Sequence, residues 1–374
     1  METVLNFLLI SGIVINTIII WLLTKTNKSA LPQKILIALF IGIIFLLVHF
    51  YSILNKIKFL YILTFNIQDV ITLLVGPLLY IYVKSLFFED KELIKKNRIH
   101  FILPIIYLVF YSIPILVFSF FKIKLIPFVE KLININDFIF VIEDFYLLAY
   151  LILTLILLNK YNKAAKSIYS NLKDKELRWV KYMLFGTILV SIIDIFTYIY
   201  DFFYVNSEID SAFITVIFVV ILLYFLGYYG IKQSAILVPE FLLNPVKNSK
   251  SSGSLINMEA TKVNHFVSKI NEVLIKDKLF LDEDLTLHKL AIAISLSDKK
   301  LSAIINQEMD TSFYDLINSY RIAEFKRRII SKKYNNLTLL GIAYDCGFKS
   351  KSTFNRLFKL KNGISPSEFK KINS

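Results

Sequence analysis

The sequence predicts an all-α protein in which a seven-helix transmembrane bundle is followed by a smaller domain with two helix-turn-helix units. Two observations carry this prediction. Hydrophobic residues make up 56% of the 374 residues and charged residues only 19%, which is too apolar for an ordinary soluble fold. The membrane-length apolar stretches end near residue 231, and the polar remainder contains two capped helix pairs of similar design.

The apolar half contains seven stretches that are long enough to cross a membrane. A hydrocarbon core about 30 Å thick requires ~20 apolar residues in a helix. The first stretch follows Met1 and Glu2 without a basic segment, so we interpret it as a retained helix rather than a cleaved signal sequence. The seven stretches are residues 4–23, 35–54, 61–87, 101–121, 138–158, 180–204 and 212–231.

The basic residues between these stretches predict the orientation of the chain. The first, third and fifth connections, counted with Lys84 and Lys181 at the adjoining helix ends, hold fifteen Lys and Arg residues, and the second, fourth and sixth hold five. Because basic connections stay in the cytoplasm, we expect a multi-pass protein of the bacterial cytoplasmic (inner) membrane, with the N-terminus outside and the C-terminal domain in the cytoplasm. Residues 244–374 hold 22 basic and 13 acidic residues, against 21 and 16 in residues 1–243, so positive charge is concentrated near the C-terminus.

Several ionisable residues interrupt the apolar stretches. Charges inside a membrane are costly and often functional. With the predicted orientation they fall in the outer half of the bundle, where they either hold the helices together by hydrogen bonds or form a pocket for a ligand or cation. The predicted sensor pocket consists of His49, Asp69, Glu143, Asp144 and Asp194.

The sequence divides into four regions. We expect a transmembrane sensor region at 1–231, a linker at 232–257, a connecting helix at 258–280 and a DNA-binding domain at 281–374. The run NPVKNSKSSGS at 244–254 is polar and rich in Gly and Ser, which is typical of a flexible tether. The connecting helix has a single apolar stripe, so it packs either on the DNA-binding domain or on its copy in a second chain.

The first helix-turn-helix is predicted between residues 285 and 307. Thr286 and Ser297 are placed as N-caps, because their hydroxyls can accept the free amides of a first helical turn. Small Ala291 permits a close helix crossing, and residues 297–307 form the helix that enters the major groove. The predicted core consists of Leu287, Leu290, Ile294, Leu301, Ile304 and Ile305.

The second unit repeats this design. A helix at 339–346 is followed by Gly347, where a positive φ is tolerated, and by a second helix at 350–361. Residues 313–330 between the units predict a spacer helix of ~27 Å. Two recognition helices with this separation can lie in successive major grooves, ~34 Å apart.

The second unit also carries a specific resemblance. Its residues resemble the signature of the AraC/XylS family of transcription regulators, and the match extends over about residues 281–371. The resemblance implies an all-α domain of seven helices that binds duplex DNA, usually as an activator. The matching residues are Ile342, Ala343, Gly347, Phe348, Ser350, Ser352, Phe354, Arg356, Phe358, Lys359, Gly363, Ser365, Pro366 and Phe369, together with Tyr320, Arg321 and Ile322 of the spacer helix.

Similarity to the family implies DNA contacts in both recognition helices. Arg356 can bond guanine O6 and N7 in a bidentate way, and Lys351 can reach phosphate or guanine. Ala303 departs from the family pattern, which often has a long polar side chain there, and can touch only a thymine methyl. The implied contact residues are Lys299, Ser302, Ala303, Lys351, Ser352, Asn355 and Arg356.

These features predict a membrane-bound one-component transcription regulator. It binds promoter DNA sequence-specifically in response to an unknown small-molecule or envelope signal, with membrane lipid and a second copy of the chain as further partners. The alternative is a transporter or channel-like protein with a DNA-binding tail. No hydrolase, kinase or phosphate-loop motif is present, so we expect no enzymatic activity, no cofactor and, with Cys346 as the single cysteine, no metal site.

Overall fold

The computed structural model describes residues 2–25, 31–87, 92–121, 136–172, 177–203, 212–230, 260–334 and 336–373. These residues form helices and helical turns, and an isolated bridge between Tyr169 and Thr286 is their only extended pairing. The predicted all-α fold class is confirmed for this part of the chain. The chain forms two compact units, one of Met1–Asn159 and Leu177–Leu237 and the other of Lys160–Glu176 and Val238–Ser374.

The first unit consists of long apolar helices. Helices α5 and α6 are joined by a π-helical turn at Leu108–Ser112, which keeps this region helical up to Phe121. The helices are α1 (Glu2–Lys25), α2 (Leu31–Leu54), α3 (Lys58–Phe87), α4 (Leu93–Lys96), α5 (Ile102–Tyr107), α6 (Ile113–Phe121), α7 (Asn136–Lys166), α8 (Arg178–Phe203) and α9 (Ala212–Gly230).

Six of the helical stretches described are long and apolar enough to cross a membrane. They are Glu2–Lys25, Leu31–Leu54, Ile67–Phe87, Arg98–Phe121, Ile142–Lys166 and Trp179–Tyr200. The seventh predicted stretch corresponds to α9, whose described apolar part is shorter, Phe213–Leu222, so a seventh crossing stays a prediction. Large apolar side chains such as Phe7, Phe145 and Phe196 are more than 60% exposed, as expected where lipid would cover them.

Small residues allow the helices of this unit to approach closely. Helix α1 packs against α2 and α9, and α8 packs against α9. A Cβ atom at Gly12 would lie 3.0 Å from Cδ1 of Leu47, and one at Gly186 would lie 2.5 Å from Cδ1 of Leu222. Close backbone approach at glycine is a common way in which apolar helices associate in membranes.

The second unit contains the predicted helix-turn-helix helices together with the segment Lys160–Glu176. Its helices are α10 (Ala260–Lys276), α11 (Leu287–Ala293), α12 (Asp298–Ala303), α13 (Phe313–Ile330), α14 (Leu339–Asp345), α15 (Lys351–Asn362) and α16 (Pro366–Asn373). The π-helical turn Ile304–Glu308 extends α12.

The connecting helix α10 packs on the first helix-turn-helix. Ile270 and Leu274 are fully buried in the same core as Leu287 and Leu290. The Tyr320 hydroxyl of α13 donates to Oδ1 of Asn271 at 2.8 Å. Helix α10 is therefore part of the domain that carries the recognition helices, whereas the predicted tether at 244–254 lies outside the described residues.

Candidate nucleic-acid interface

The first helix-turn-helix consists of α11 and α12. The Thr286 hydroxyl accepts the amide of Lys289 at 3.3 Å, and the Ser297 hydroxyl accepts the amide of Lys300 at 3.5 Å. Both predicted N-caps are confirmed. The turn between the helices passes through Ser295, whose φ of 61° lies in the left-handed region.

The predicted core of this unit is also confirmed. Ala291, Ile294, Leu301, Ile304 and Ile305 are all fully buried. They pack around Phe313 and Ile317 at the start of the spacer helix α13. Leu301 of α12 faces this core, whereas Lys300 on the same helix is exposed.

The second helix-turn-helix consists of α14 and α15. The hydroxyls of Thr338 and Ser350 cap these helices by accepting the amides of Gly341 and Thr353. The turn between them passes through Gly347, whose φ of 90° confirms the predicted positive value.

Aromatic side chains fix α15 against the spacer helix. The Phe325 ring of α13 lies 4.6 Å from the Phe354 ring and 5.5 Å from the Phe358 ring. Phe348, from the turn, packs 5.2 Å from Phe354. Rings at these separations contribute beyond the area they bury, so the opposite face of α15 is held outward on a rigid support.

The four implied contact residues of α15 lie on this outward face. Lys351, Ser352, Asn355 and Arg356 are all exposed. Arg356 has one protein hydrogen bond among the described residues, a long one of 3.4 Å from Nη2 to the Tyr314 hydroxyl. A guanidinium held by a single long bond can turn towards a base edge at little cost.

The implied contact residues of α12 are less accessible. Lys299 and Ala303 are half-buried. Ser302 is 5% exposed, and its hydroxyl accepts a hydrogen bond from Nδ2 of Asn306 at 3.2 Å. This burial argues against a DNA contact by Ser302, because little of its side chain is accessible.

Comparison with family models matches residues 290–372 to a helix-turn-helix domain. These residues form an AraC-type helix-turn-helix domain. The match covers fewer than a quarter of the 374 residues and leaves the apolar half of the chain unassigned. No curated protein and no solved structure matches the chain. A domain of this type identifies a DNA-binding transcription regulator.

A surface depression beside α15 adds two residues to the candidate DNA-contacting surface of the AraC-type domain. It has a volume of about 470 Å³ and is lined by Tyr344, Lys349, Ser350, Lys351, Ser352 and Asn355. Sequence reasoning missed Tyr344 and Lys349. Tyr344 is 46% exposed, whereas Ile342 and Ala343 of the same helix are buried. Its place three residues before the Gly347 turn was the available signal, since residues there flank the start of the recognition helix.

Ion pairs neutralise part of the positive charge of the AraC-type domain. Lys349 Nζ lies 2.6 Å from Asp284, and this bond raises the pKa of Lys349. Arg327 and Arg328 both donate to Glu324, at 2.7 and 2.9 Å. The hydrogen bond from Arg327 is the largest cause that lowers the pKa of Glu324, to about 2. Two of the four basic residues at 327–333, Arg327 and Arg328, are therefore paired with a carboxylate.

A buried arginine joins the two halves of the AraC-type domain. Arg321 of the spacer helix is 0% exposed, and burial lowers the pKa of its guanidinium to about 10. Its Nε donates to the carbonyl of Phe280 at 2.7 Å, and Nη2 donates to the carbonyl of Asp282 at 2.8 Å. A Cβ atom at Gly347 would lie only 2.9 Å from Nε, so the second turn closes directly over this group.

Most of the predicted sensor residues lie together in the first unit. Asp69, Glu143 and Asp144 are buried, Asp194 is half-buried, and Glu143 interacts electrostatically with the other three. The Tyr107 hydroxyl donates to Oδ2 of Asp69 at 2.8 Å. Among the described residues, Oε1 of Glu143 is buried without a hydrogen-bond partner.

His49 has a different environment. Its Nδ1 lies 2.9 Å from the Thr64 hydroxyl, and its ring stacks on Tyr61 with centroids 5.6 Å apart. Its recorded partners are thus a hydroxyl and aromatic rings, rather than the carboxylates with which the sequence grouped it.

Proposed function

We propose that this chain is a membrane-bound one-component transcription regulator. It binds promoter DNA sequence-specifically and responds to a signal sensed by its transmembrane helices. The observation that carries the proposal is the presence, in one chain, of six membrane-length helices among the described residues and of an AraC-type domain whose recognition helix α15 has an exposed polar face. A regulator so built needs no separate partner to carry the signal from the membrane to the promoter.

The exposed face of α15 supplies the sequence discrimination. Arg356 reads guanine, Asn355 and Ser352 hydrogen-bond to neighbouring base edges, and Lys351 contacts phosphate. Helix α12 contributes Lys299 to phosphate and Ala303 to a thymine methyl. Because α12 offers fewer polar side chains, the half-site under α15 carries most of the specificity.

The orientation follows from the basic connections. The first, third and fifth connections with their adjoining helix ends hold fifteen Lys and Arg residues, and the others hold five. This difference supports a multi-pass protein of the bacterial cytoplasmic membrane, with the N-terminus outside. The C-terminal domain then faces the cytoplasm, where the DNA is. A reporter fused after Ser374 that is active only outside the cell would contradict this orientation.

The carboxylates within the membrane-length helices form the sensor pocket. Asp69, Glu143, Asp144 and Asp194 are costly inside a membrane unless a ligand or a proton offsets their charge. The buried, unbonded Oε1 of Glu143 supports a site that is completed by something bound. With the proposed orientation the pocket lies towards the outside, so a small molecule or cation of the envelope is the class of signal that it fits.

DNA binding is tested with the full chain in lipid nanodiscs. Wild-type protein first selects its binding site from random duplexes. Arg356→Ala should then weaken binding to the selected duplex by about 1 to 3 kcal/mol and relax specificity at one base pair. Lys371→Ala, an exposed charge outside the recognition helices, is the control and should have little effect. An unchanged footprint and affinity for Arg356→Ala would refute the assignment.

Sensing is tested through the target genes. Transcript profiling of a deletion strain identifies a regulated promoter and, from its genes, the class of signal. Asp194→Asn should blunt the response of that promoter, because it removes a charge from the pocket, while the affinity of the full chain for its selected duplex stays unchanged. A normal response would reduce the pocket to a structural role, and solute flux in proteoliposomes would favour a transporter.

A further inference from the structure

A short segment from the membrane half of the chain is built into the interior of the second unit. Lys160–Glu176 comprises the C-terminal end of α7, up to Lys166, and the connection towards α8, yet it belongs to the same compact unit as the recognition helices. Ile168, Ser170 and Leu172 are at most 8% exposed. A connection that only linked two crossings would run over the surface in solvent, so this burial points to a further role.

The segment is attached by its backbone to the residues that precede the first helix-turn-helix. The amide of Leu287 donates to the carbonyl of Ile168 at 2.8 Å, and the amide of Ser170 donates to the carbonyl of Leu285 at 3.3 Å. Between these two bonds, Tyr169 faces Thr286 in an antiparallel bridge. The segment thus adds one short antiparallel pairing to the entrance of α11.

Ser170 completes the hydrogen bonding of the buried guanidinium. Arg321 donates from Nη1 to the carbonyl of Ser170 at 3.1 Å and from Nη2 to its hydroxyl at 3.0 Å. Nδ2 of Asn318 donates to the same carbonyl at 3.1 Å. Donors of a buried charged group are costly to leave unpaired, so withdrawal of Ser170 would destabilise the position of Arg321.

Arg321 contacts elements of both helix-turn-helix units. It holds the carbonyls of Phe280 and Asp282 on the approach to α11, and its Cζ lies 6.0 Å from the Phe348 ring in the turn before α15. The position of this side chain therefore determines how the two helix-turn-helix motifs are oriented relative to one another.

A second contact leads from the same segment towards the DNA-facing arginine. Lys166 Nζ lies 5.9 Å from the centre of the Tyr314 ring. The Tyr314 hydroxyl accepts the long hydrogen bond from Nη2 of Arg356. The segment thus contacts Arg321, which joins the two helix-turn-helix motifs, and Tyr314, which bonds the proposed guanine-reading arginine.

We propose that residues 160–172 are the coupling element through which the membrane half controls the AraC-type domain. While the element is docked, Arg321 is fully bonded and both units are held for simultaneous binding. A signal that displaces the flanking helices α7 and α8 withdraws Ser170 from Arg321. The relative orientation of the two helix-turn-helix motifs is then less fixed, and the affinity for DNA falls. The inference rests on the proposed function and specifies its regulation.

Docking is tested by a disulfide across the bridge in the full chain in membrane vesicles. Residues 169 and 286 form the closely spaced kind of antiparallel pair, with Cα atoms about 4.5 Å apart, which suits a disulfide. Tyr169→Cys with Thr286→Cys should cross-link under mild oxidation, as counted by thiol labelling. Each single variant, which retains the buried native Cys346, should give no cross-link. Failure of the double variant to cross-link overturns the docking.

Coupling is tested by the affinity of the full chain for the duplex that the wild type selects. Ser170→Pro removes the amide that bonds Leu285 and should weaken binding about fivefold or more, the usual lower range of coupling between sites. Lys166→Ala, which is exposed and leaves the backbone pairing intact, should also weaken binding. Lys163→Ala, exposed one turn earlier on α7, is the matched control and should not.

The two proposals fail in different ways. A wild type that selects and binds a duplex, combined with unchanged affinities in Ser170→Pro and Lys166→Ala, overturns the coupling alone. A wild type that binds no duplex in any membrane preparation overturns the proposed function, and the coupling with it, even if the disulfide forms.

Discussion

Replacing Gly347 by alanine tests how closely the turn of the second unit approaches Arg321. The φ of 90° already disfavours any side chain, at a cost of about 1 to 3 kcal/mol. The added Cβ would also lie 2.8 Å from the Phe280 carbonyl oxygen, 2.9 Å from that of Leu281 and 2.9 Å from Arg321 Nε. Two of these three atoms belong to the backbone, so the clash cannot be relieved by rotating a flexible side chain.

Relief of the clash requires the bond from Arg321 Nε to Phe280 to lengthen or break. A hydrogen bond to a charged group contributes about 1.5 to 3 kcal/mol. Gly347→Ala should therefore cost about 2.5 to 6 kcal/mol in total when the backbone strain is included. Gly363 is the matched control, because its φ of 76° brings similar strain while a Cβ there meets nothing within 4 Å.

The assay is amide hydrogen exchange of α11, α14 and α15 in the full chain in nanodiscs. A difference of about 2 kcal/mol between the variants corresponds to ~30-fold faster exchange in Gly347→Ala than in Gly363→Ala. Equal acceleration in both variants would mean that only backbone strain matters, and it would refute the close approach of the turn to Arg321.

Two further predictions concern charge. Glu324→Gln removes the carboxylate that accepts from Arg327 and Arg328 and should destabilise the domain by about 1.5 to 3 kcal/mol in urea titrations followed by exchange, whereas the exposed Glu308→Gln should not. Hydrogen bonding lowers the pKa of Glu324 from 4.5 to about 2. The stabilising effect of the Glu324 carboxylate is therefore complete above about pH 5 and is lost as the pH falls through about 2. An equal difference in stability between the wild type and Glu324→Gln at about pH 3 and at about pH 7 would contradict this. Lys351→Ala should weaken binding to all duplexes alike and reduce by about one the slope of the logarithm of the binding constant against the logarithm of the salt concentration. Fluorescence anisotropy over a range of KCl concentrations measures this slope. A loss of specificity without a change in the slope would contradict a phosphate contact.

Local patterns in the sequence were sufficient for much of the DNA-binding domain. The N-caps at Thr286 and Ser297 and the turn at Gly347 follow from residue types whose preferences act over three or four positions. The core of the first helix-turn-helix follows from the periodicity of its apolar residues. The pairing of Arg327 and Arg328 with Glu324 was also visible in principle, since these residues lie three and four positions apart on one helix.

Other features depend on the phase of a helix or on distant contacts. Ser302 is buried, and its hydroxyl accepts from Nδ2 of Asn306 in the π-helical turn that follows α12, a turn that the sequence pattern did not predict. The bond between Ser170 and Arg321 joins residues 151 positions apart, and no local preference indicates it. His49 was grouped with the carboxylates because its predicted depth in the membrane is similar. Depth alone does not determine which side chains it contacts.

The contact between Ser170 and Arg321 has a practical consequence for experiments on this protein. A soluble fragment that starts at residue 260 would omit Ile168, Ser170 and Leu172 from its own interior. Such a fragment would have to hydrate a guanidinium that the intact protein keeps dry, and its entrance to α11 would present two unpaired backbone groups to water. During synthesis, residues 160–172 leave the ribosome well before Arg321. The C-terminal domain therefore folds when the segment on which Arg321 packs has already been made.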